Sequence, residues 1–280
     1  MKYKLIATDL DGTLGNSKYL IDEENAVAAR AFEEAGGHIV LCSGRSVHSL
    51  KYVAENELKI KDAYLIGFNG GVIVNSKDMK PIYEQKLNKE YALEGYKFLK
   101  ENDTDENNKP ILLMGLYTKF DEIITDNKDL LEKLYIKQNN KMSLIEKKEI
   151  KELGDDIYKL LILGENETLK AIEPKLIKLA NDRYDVVFTG YNLLELIPKN
   201  INKGTALSKL AAHLNIKMEE TIGFGDNYND IELIKQAGLG IAIKNAVDPL
   251  KEIADKITVN NNDNAAFAEV VEFALKKGPK

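Results

Sequence analysis

Residues 3–13 read YKLIATDLDGT, a mostly apolar run that passes directly into two acidic residues and a glycine. Residues 3–8 have the length and composition of a buried strand. Side chains two residues apart in an extended chain point to the same side, so the carboxylates of Asp9 and Asp11 can face one site. That site would lie at the carboxyl end of the strand, where open α/β sheets place ligands. Taken alone, the motif fits a polar turn equally well, because Asp-Gly is a common turn dipeptide.

The regions on either side of a long middle segment alternate between strand and helix patterns. Before it, the patterns predict strands over 3–8, 38–42 and 63–68 and helices over 23–35 and 46–58. After it, they predict helices over 203–214, 228–237, 247–254 and 265–276, with strands over 221–224, 240–243 and 257–259. Alternation of this kind predicts an α/β fold with a Rossmann-like parallel sheet and right-handed crossovers.

The middle segment, 84–188, differs in composition, since it holds only 4 of the 19 glycines. Its patterns predict helices over 90–101, 127–137 and 167–181 and strands over 111–117, 158–163 and 185–189. We therefore expect a small α+β domain at 84–188, inserted into an α/β core formed by 1–83 and 189–280.

Three further motifs fall at predicted strand ends or helix starts. Ser43-Gly44-Arg45 follows the second strand, and Lys203-Gly204 opens a helix whose N-terminus favours an anion. The run 225–230, GDNYND, follows a third strand and adds two acids and two amides. Each motif alone has a structural interpretation as a cap, a solvated lysine or a turn. Four such motifs, each at the end of a predicted strand or at a helix start, are difficult to attribute to chance.

Arginine is scarce in this chain, so the arginine at position 45 is a weak indication of a specific role. Only three of the 39 basic residues are arginines, at positions 30, 45 and 183. An arginine in a glycine-flanked loop can serve as a planar, bidentate donor. An incidental ion pair explains Arg45 equally well.

Composition excludes several classes of function. The formal charge of −6 and the pI of about 5.4 argue against salt-driven binding to nucleic acid or to an acidic membrane surface. No stretch approaches the ~20 apolar residues of a membrane span, and the N-terminus lacks a secretory signal pattern. The lone Cys42 and three scattered histidines disfavour a disulfide, a zinc centre and a Ser-His triad. We expect a cytoplasmic protein without an obligate protein partner.

The ordered set DLDGT, SGR, KG and GDNYND resembles that of the haloacid dehalogenase superfamily, specifically its Cof-type (subfamily IIB) phosphatases, and this similarity spans essentially the whole chain. It implies that Asp9 is the nucleophile and Asp11 the general acid/base, and that the inserted domain is a cap. Mg²⁺ would be bound by Asp9, Asp226 and the backbone carbonyl of Asp11. The remaining residues implied by the family motifs are Ser43, Gly44, Lys203 and Asn229 for the phosphate, Asp230 for orienting Lys203 or a water on the metal, and Asn69 and Gly70 for the site floor, with Arg45 as possible support.

The resemblance also implies a small phosphorylated metabolite as substrate, such as a sugar phosphate, flavin mononucleotide or pyridoxal phosphate. The cap would close over the sheet edge and contact the rest of the substrate, and the loops around 115–119 and 164–167 are candidate contacts. Tyr117 in the first of these fits a core residue better than a contact. A phosphosugar mutase or a non-catalytic sensor of phosphorylated ligands remains an alternative to a phosphatase.

Two segments depart from the family pattern. Gly15-Asn16 follows DGTL where the family usually has Leu-Leu or Leu-Asn, which is expected to loosen the hairpin after the site. Residues 262–266, NDNAA, lack the usual Asp-Gly-Val. The four acids Asp9, Asp11, Asp226 and Asp230 would together repel a phosphate, so phosphate recognition is expected to depend on a bound metal.

Overall fold

A computed structural model describes residues 1–104, 111–120, 122–134, 143–146, 154 and 156–276. The strands, numbered in chain order, are β1 (Leu5–Thr8), β2 (His38–Cys42), β3 (Tyr64–Gly67), β4 (Val72–Asn75), β5 (Pro81–Glu84), β6 (Leu113–Lys119), β7 (Glu122–Thr125), β8 (Ser143–Glu146), β9 (Lys159–Leu163), β10 (Tyr184–Gly190), β11 (Leu193–Pro198), β12 (Thr221–Gly225), β13 (Leu239–Ala242) and β14 (Lys256–Ile257). The helices are α1 (Glu23–Glu34), α2 (Val47–Tyr52), α3 (Lys89–Glu101), α4 (Lys128–Leu134), α5 (Asn166–Ala180), α6 (Lys203–His213), α7 (Ile231–Gln236), α8 (Asp248–Ile253) and α9 (Ala266–Lys276).

The chain forms two compact units, one made of Met1–Glu84 with Asn202–Lys280 and the other of Gln85–Ile201. The sequence pattern placed the end of the insertion at residue 188, whereas the second unit continues to Ile201. The physical reason is that β10 and β11 pair antiparallel as a hairpin and β11 pairs with β9, so both strands complete the inserted sheet. Composition alone gives no sign of that pairing.

The described residues of the first unit form a sheet in the order β14-β13-β12-β1-β2-β3-β4-β5. The strands from β14 to β3 are parallel, which confirms the predicted α/β class with a parallel-dominated sheet. β4 and β5 extend the sheet as an antiparallel edge, and neither strand was predicted from the sequence. All four residues of β1 are buried, since helices cover both faces of a sheet of this kind. The carboxyl ends of β1, β2 and β12 consequently meet at one edge.

Local chemistry explains where the helices begin and end. Ser46 caps α2 by accepting a hydrogen bond from the N–H of Ser49 (3.2 Å). The single helix predicted over 46–58 is α2 followed by a π-helical turn over Val53–Glu57, closed by the bond from Leu58 N to Val53 O. The predicted helix over 228–237 begins as a 3₁₀ turn at Tyr228–Asp230, which then leads into α7.

The second unit contains a sheet in the order β10-β11-β9-β6-β7-β8 among its described residues. Its pairings are antiparallel except for β7 with β8, and β7, β8 and β11 were not predicted. Alternate residues of β6, β9 and β11 join the core cluster that α3 and α5 also enter, including Leu116, Leu160 and Leu196. The predicted end of the helix over 127–137 lies outside the described residues.

A close approach between α6 and α7 supplies a first prediction. A Cβ at Gly204 would overlap the carbonyl oxygen of Glu232 in the backbone of α7. Backbone cannot yield as a flexible side chain does, so Gly204→Ala is expected to lower the free energy of unfolding by about 2 kcal/mol or more. Chemical denaturation measures this. The matched control is Gly154→Ala, where a Cβ meets no described atom within 4 Å; equal stability of the two variants would contradict the prediction.

Candidate active site

A buried lysine lies at the centre of the site. Asn202 caps α6 by accepting from the N–H of Thr205 (2.8 Å), which places Lys203 at the first position of the helix. The Lys203 side chain is 0% exposed, and its Nζ donates to Asp9 Oδ1 and Asp230 Oδ1, each at 2.5 Å. Burial disfavours the charged amine, but the carboxylates of Asp230 and Asp9 more than offset that cost, so the pKa of Lys203 is raised. The lysine therefore remains an ammonium.

Negative charge is in excess around this lysine. Oxygen atoms of Asp9, Asp226 and Asp230 all lie within 4.8 Å of one another. Burial raises the pKa of Asp9 well above its usual range, and the charges of Asp230 and Asp226 raise it further, against the effect of Lys203. Burial and the neighbouring Asp230 raise the pKa of Asp226 to about 6. Three carboxylates with one ammonium make a site in which an additional cation is favourable.

Both carboxylate oxygens of Asp230 accept hydrogen bonds. Oδ1 accepts from Lys203, while Oδ2 accepts from the backbone N–H groups of Asp226 and Asn227, both at 3.0 Å. A Cβ at Gly225 would lie 2.5 Å from the Asp230 carboxyl carbon, so the glycine permits this approach. Asp230 thus fixes the loop that carries Asp226 and orients the lysine.

The turn after β1 packs against Asp226 and forms a hydrogen bond with it. Gly12 has a φ of +84°, which favours glycine, and a Cβ there would lie 2.8 Å from Asp226 Oδ2. The Thr13 hydroxyl donates to Asp226 Oδ1 at 2.6 Å. Both contacts hold the DLDGT turn and the Asp226 carboxylate in a fixed relation. No role was predicted for Thr13 from the sequence.

Asp11 is bound by Arg45. Arg45 Nε donates to Asp11 Oδ2 at 2.8 Å, and Nη2 donates to Asp11 Oδ1. The two interpretations of Arg45, a bidentate fork and an ion pair, therefore coincide, and the partner is the acid that the motif places two residues after Asp9.

The remaining motif residues lie in the loops that follow β2, β3 and β12. Ser43 is buried, and its Oγ accepts from the N–H of Arg45 at 3.2 Å. Asn229 Nδ2 donates to Asn69 Oδ1 at 3.1 Å, and a Cβ at Gly44 would lie 3.1 Å from the Asn69 side chain. The loops that follow β2, β3 and β12 are thereby in contact with one another.

Gly70 lies against the N-terminus of α6. It has a φ of +105°, and a Cβ there would overlap the carbonyl oxygen of Asn202, the cap of α6. A side chain at position 70 would displace the residue that precedes Lys203. The glycine at this position therefore supports the buried lysine indirectly.

Two asparagines in the last part of the chain bind the hairpin that follows Asp11, and these contacts were not predicted from the sequence. Asn245 Nδ2 donates to Gly12 O at 2.8 Å, and Asn262 Nδ2 donates to Gly15 O at 3.2 Å. Asp263 accepts from the N–H and the hydroxyl of Ser17 at 2.8 and 2.7 Å. Residues 262–266 and Gly15-Asn16 are the two segments that differ from the family pattern. The first of them thus binds the second. No local pattern signals such contacts.

In the second unit, the residues suggested as substrate contacts are not all in loops. Residues 115–119 lie within β6, where Tyr117 is buried and pairs in register with Lys159. The Lys159 ammonium lies 4.6 Å from the Tyr117 ring centroid and 2.5 Å from Glu195 Oε1. Tyr117 is therefore a core residue of this unit. Residues 164–165 connect β9 to α5, and residues 166–167 are the first two residues of that helix.

The parallel sheet and the acid-lysine cluster at its carboxyl edge are the arrangement of an α/β phosphoryl-transfer enzyme. Residues 6–271 match the family of haloacid dehalogenase-like hydrolases, and the chain belongs to that family. The family assignment made from the motifs is thus confirmed.

Individual relatives agree with this assignment. The chain is 29% identical to the 5-amino-6-(5-phospho-D-ribitylamino)uracil phosphatase YcsE of Bacillus subtilis, over 97% of this chain and 96% of that protein. It is similar to a crystal structure of a haloacid dehalogenase-like hydrolase from Bacteroides thetaiotaomicron, with a TM-score of 0.86, 34% identity and coverage of 97% and 99%. The fold is shared with the subclass IIB sugar phosphatase BT4131, with a TM-score of 0.75, 19% identity and coverage of 96% and 98%. The protein is accordingly a phosphatase of this family. Within the described ranges, none of the helices combines the length and apolar composition needed to cross a membrane.

Proposed function

We propose that this protein is a Mg²⁺-dependent phosphatase that hydrolyses small phosphorylated metabolites through an aspartyl-phosphate intermediate. The observation that carries the proposal is the buried ammonium of Lys203, which contacts Asp9 and Asp230 beside Asp226. A carboxylate and a phosphate monoester repel each other, so their reaction needs fixed positive charge at the phosphoryl oxygens. Lys203 supplies one such charge at the edge where Asp9 lies.

The donor set of the site fits Mg²⁺. This ion prefers oxygen ligands and is usually held by one or two carboxylates together with substrate phosphate. Asp9 and Asp226 would hold it with the backbone carbonyl of Asp11, because both oxygens of Asp230 already accept hydrogen bonds. When bound, the ion would offset the excess negative charge and polarise the phosphoryl group.

The protein's own groups account for the two chemical steps. Asp9 attacks phosphorus and forms the aspartyl phosphate as the bond to the leaving oxygen breaks, and Asp11 protonates that oxygen. Water then attacks the intermediate, with Asp11 accepting its proton, and inorganic phosphate leaves. Lys203, Ser43 and Asn229 are the groups that we assign to the phosphoryl oxygens, with the Gly44 N–H beside them.

The names of two similar proteins support a small phosphorylated metabolite as the substrate class. YcsE is named for a phosphorylated ribitylamino compound and BT4131 for sugar phosphates, which supports a small phosphorylated metabolite here. A screen for inorganic phosphate over sugar phosphates, flavin mononucleotide and pyridoxal phosphate tests this. Isomerised sugar phosphate without free phosphate would instead indicate a mutase, and a ligand-induced thermal shift without turnover would indicate a sensor.

Metal removal gives the second prediction. Dialysis against EDTA is expected to lower phosphate release by about 100-fold or more, because the excess negative charge at Asp9, Asp226 and Asp230 would then face the substrate phosphate. Added Mg²⁺ is expected to restore the rate. Phosphate release before and after add-back measures this, with circular dichroism as a control for folding. Full activity in EDTA would contradict the proposed metal dependence.

A further inference from the structure

The two partners of the Arg45–Asp11 pair differ in exposure. The Arg45 side chain is 11% exposed, whereas the Asp11 side chain is 41% exposed. The guanidinium is therefore the fixed partner, and the carboxylate that it binds reaches toward solvent. A surface ion pair between two mobile side chains would show high exposure on both sides.

Two hydrogen bonds fix the backbone at Arg45. Its N–H donates to Ser43 Oγ at 3.2 Å, and its carbonyl accepts from the N–H of Phe68 at 2.9 Å, which ties the loop to the end of β3. Arg45 is thus held by elements outside the DLDGT turn.

The geometry points to a role for Arg45 in the reaction: we propose that Arg45 is a positioning residue that holds the Asp11 carboxylate in the orientation required for proton transfer. This inference rests on the proposed function, in which Asp11 donates a proton to the leaving oxygen and later accepts one from water. Two parallel N–H···O bonds fix the rotation of a carboxylate, which a lysine ammonium does not do. Arg45 acts through Asp11 and need not contact substrate.

The experiment compares two leaving groups. p-Nitrophenolate departs without protonation, whereas a sugar alkoxide requires a proton from the enzyme, so loss of correct Asp11 orientation should affect only the second. The ratio kcat/KM reports the reaction up to departure of the leaving group and does not include hydrolysis of the aspartyl phosphate. The substrates are p-nitrophenyl phosphate and the sugar phosphate that the wild-type protein hydrolyses best.

Arg45→Lys is expected to lower kcat/KM for the sugar phosphate by about tenfold or more, with less than about a threefold change for p-nitrophenyl phosphate. Arg45→Gln, a second variant, is expected to show the same selectivity with a larger loss. The matched control is Arg30→Lys, because Arg30 lies on α1 and pairs with Glu23. It is expected to leave both kcat/KM values unchanged.

A double-mutant cycle separates positioning from direct substrate binding. If Arg45 acts through Asp11, then Arg45→Lys should have no further effect on the sugar phosphate in an Asp11→Asn protein. Additive losses, equal losses on both substrates, or no loss from either Arg45 variant would each overturn the proposal. A wild-type protein that releases phosphate from neither substrate would overturn the proposed function and this inference with it.

Discussion

Asp9→Asn is expected to abolish phosphate release. The amide cannot form the covalent intermediate, and loss of a nucleophile typically lowers kcat by about 10⁴-fold or more. Asp9 is the acid that directly follows the central strand β1, and Lys203 Nζ holds its Oδ1 at 2.5 Å. Retention of these contacts in the asparagine variant would leave the site assembled but without its nucleophile.

Phosphate release from p-nitrophenyl phosphate and from the best metabolite measures this effect. The matched control is Asp78→Asn, an exposed aspartate that accepts from the N–H of Lys80 and is expected to leave activity unchanged. A turnover rate for Asp9→Asn within about tenfold of wild type would contradict both the nucleophile assignment and the intermediate.

The same variant should not lose stability. Burial and the neighbouring carboxylates raise the pKa of Asp9, so its negative charge is unfavourable in the folded protein without metal. Asparagine removes that charge while the pair between Lys203 and Asp230 remains. The melting temperature in EDTA is therefore expected to be equal to or above that of the wild type, which distinguishes lost chemistry from lost folding.

Lys203→Met is expected to affect folding and activity together. Its side chain is 0% exposed and bridges two carboxylates, so its removal leaves Asp9 and Asp230 buried without a cation. Breaking a buried pair in this way costs about 3–5 kcal/mol. The variant should also lose phosphate release, because the positive charge beside Asp9 is gone.

Chemical denaturation in EDTA measures the stability of Lys203→Met. The matched control is Lys209→Met, an exposed lysine on the same helix α6, for which little change is expected. Adding Asp9→Asn to Lys203→Met should recover part of the lost stability, since it removes one uncompensated carboxylate. A free energy of unfolding for Lys203→Met within about 1 kcal/mol of wild type would contradict the electrostatic account.

The edge of the sheet at which the acids meet could be predicted from the sequence. Asp9 and Asp226 each follow an apolar run, and parallel strands bring such residues to one edge. The motif order then indicated the family, which residues 6–271 match. These features depend on periodicity and on short motifs, both of which are local.

The bounds of the inserted unit and the edge of the main sheet could not be predicted in this way. β4 is short, and its antiparallel pairing with β3 depends on the left-handed conformation of Phe68 and Asn69 between them. β11 belongs to the second unit because it pairs with β9, about thirty residues earlier in the chain. Strand pairing is a property of two segments, so neither segment alone reveals it.

By itself the sequence determined the α/β class, the edge that carries the acids, and the residue types available for phosphoryl transfer. The tertiary structure alone decided which groups are partners: Arg45 for Asp11, Thr13 for Asp226, and Asn262 for Gly15. The last two of these contacts join residues 213 and 247 positions apart. The physical reason is that hydrogen bonds act over about 3 Å, so their partners are set by how the whole chain packs rather than by local pattern.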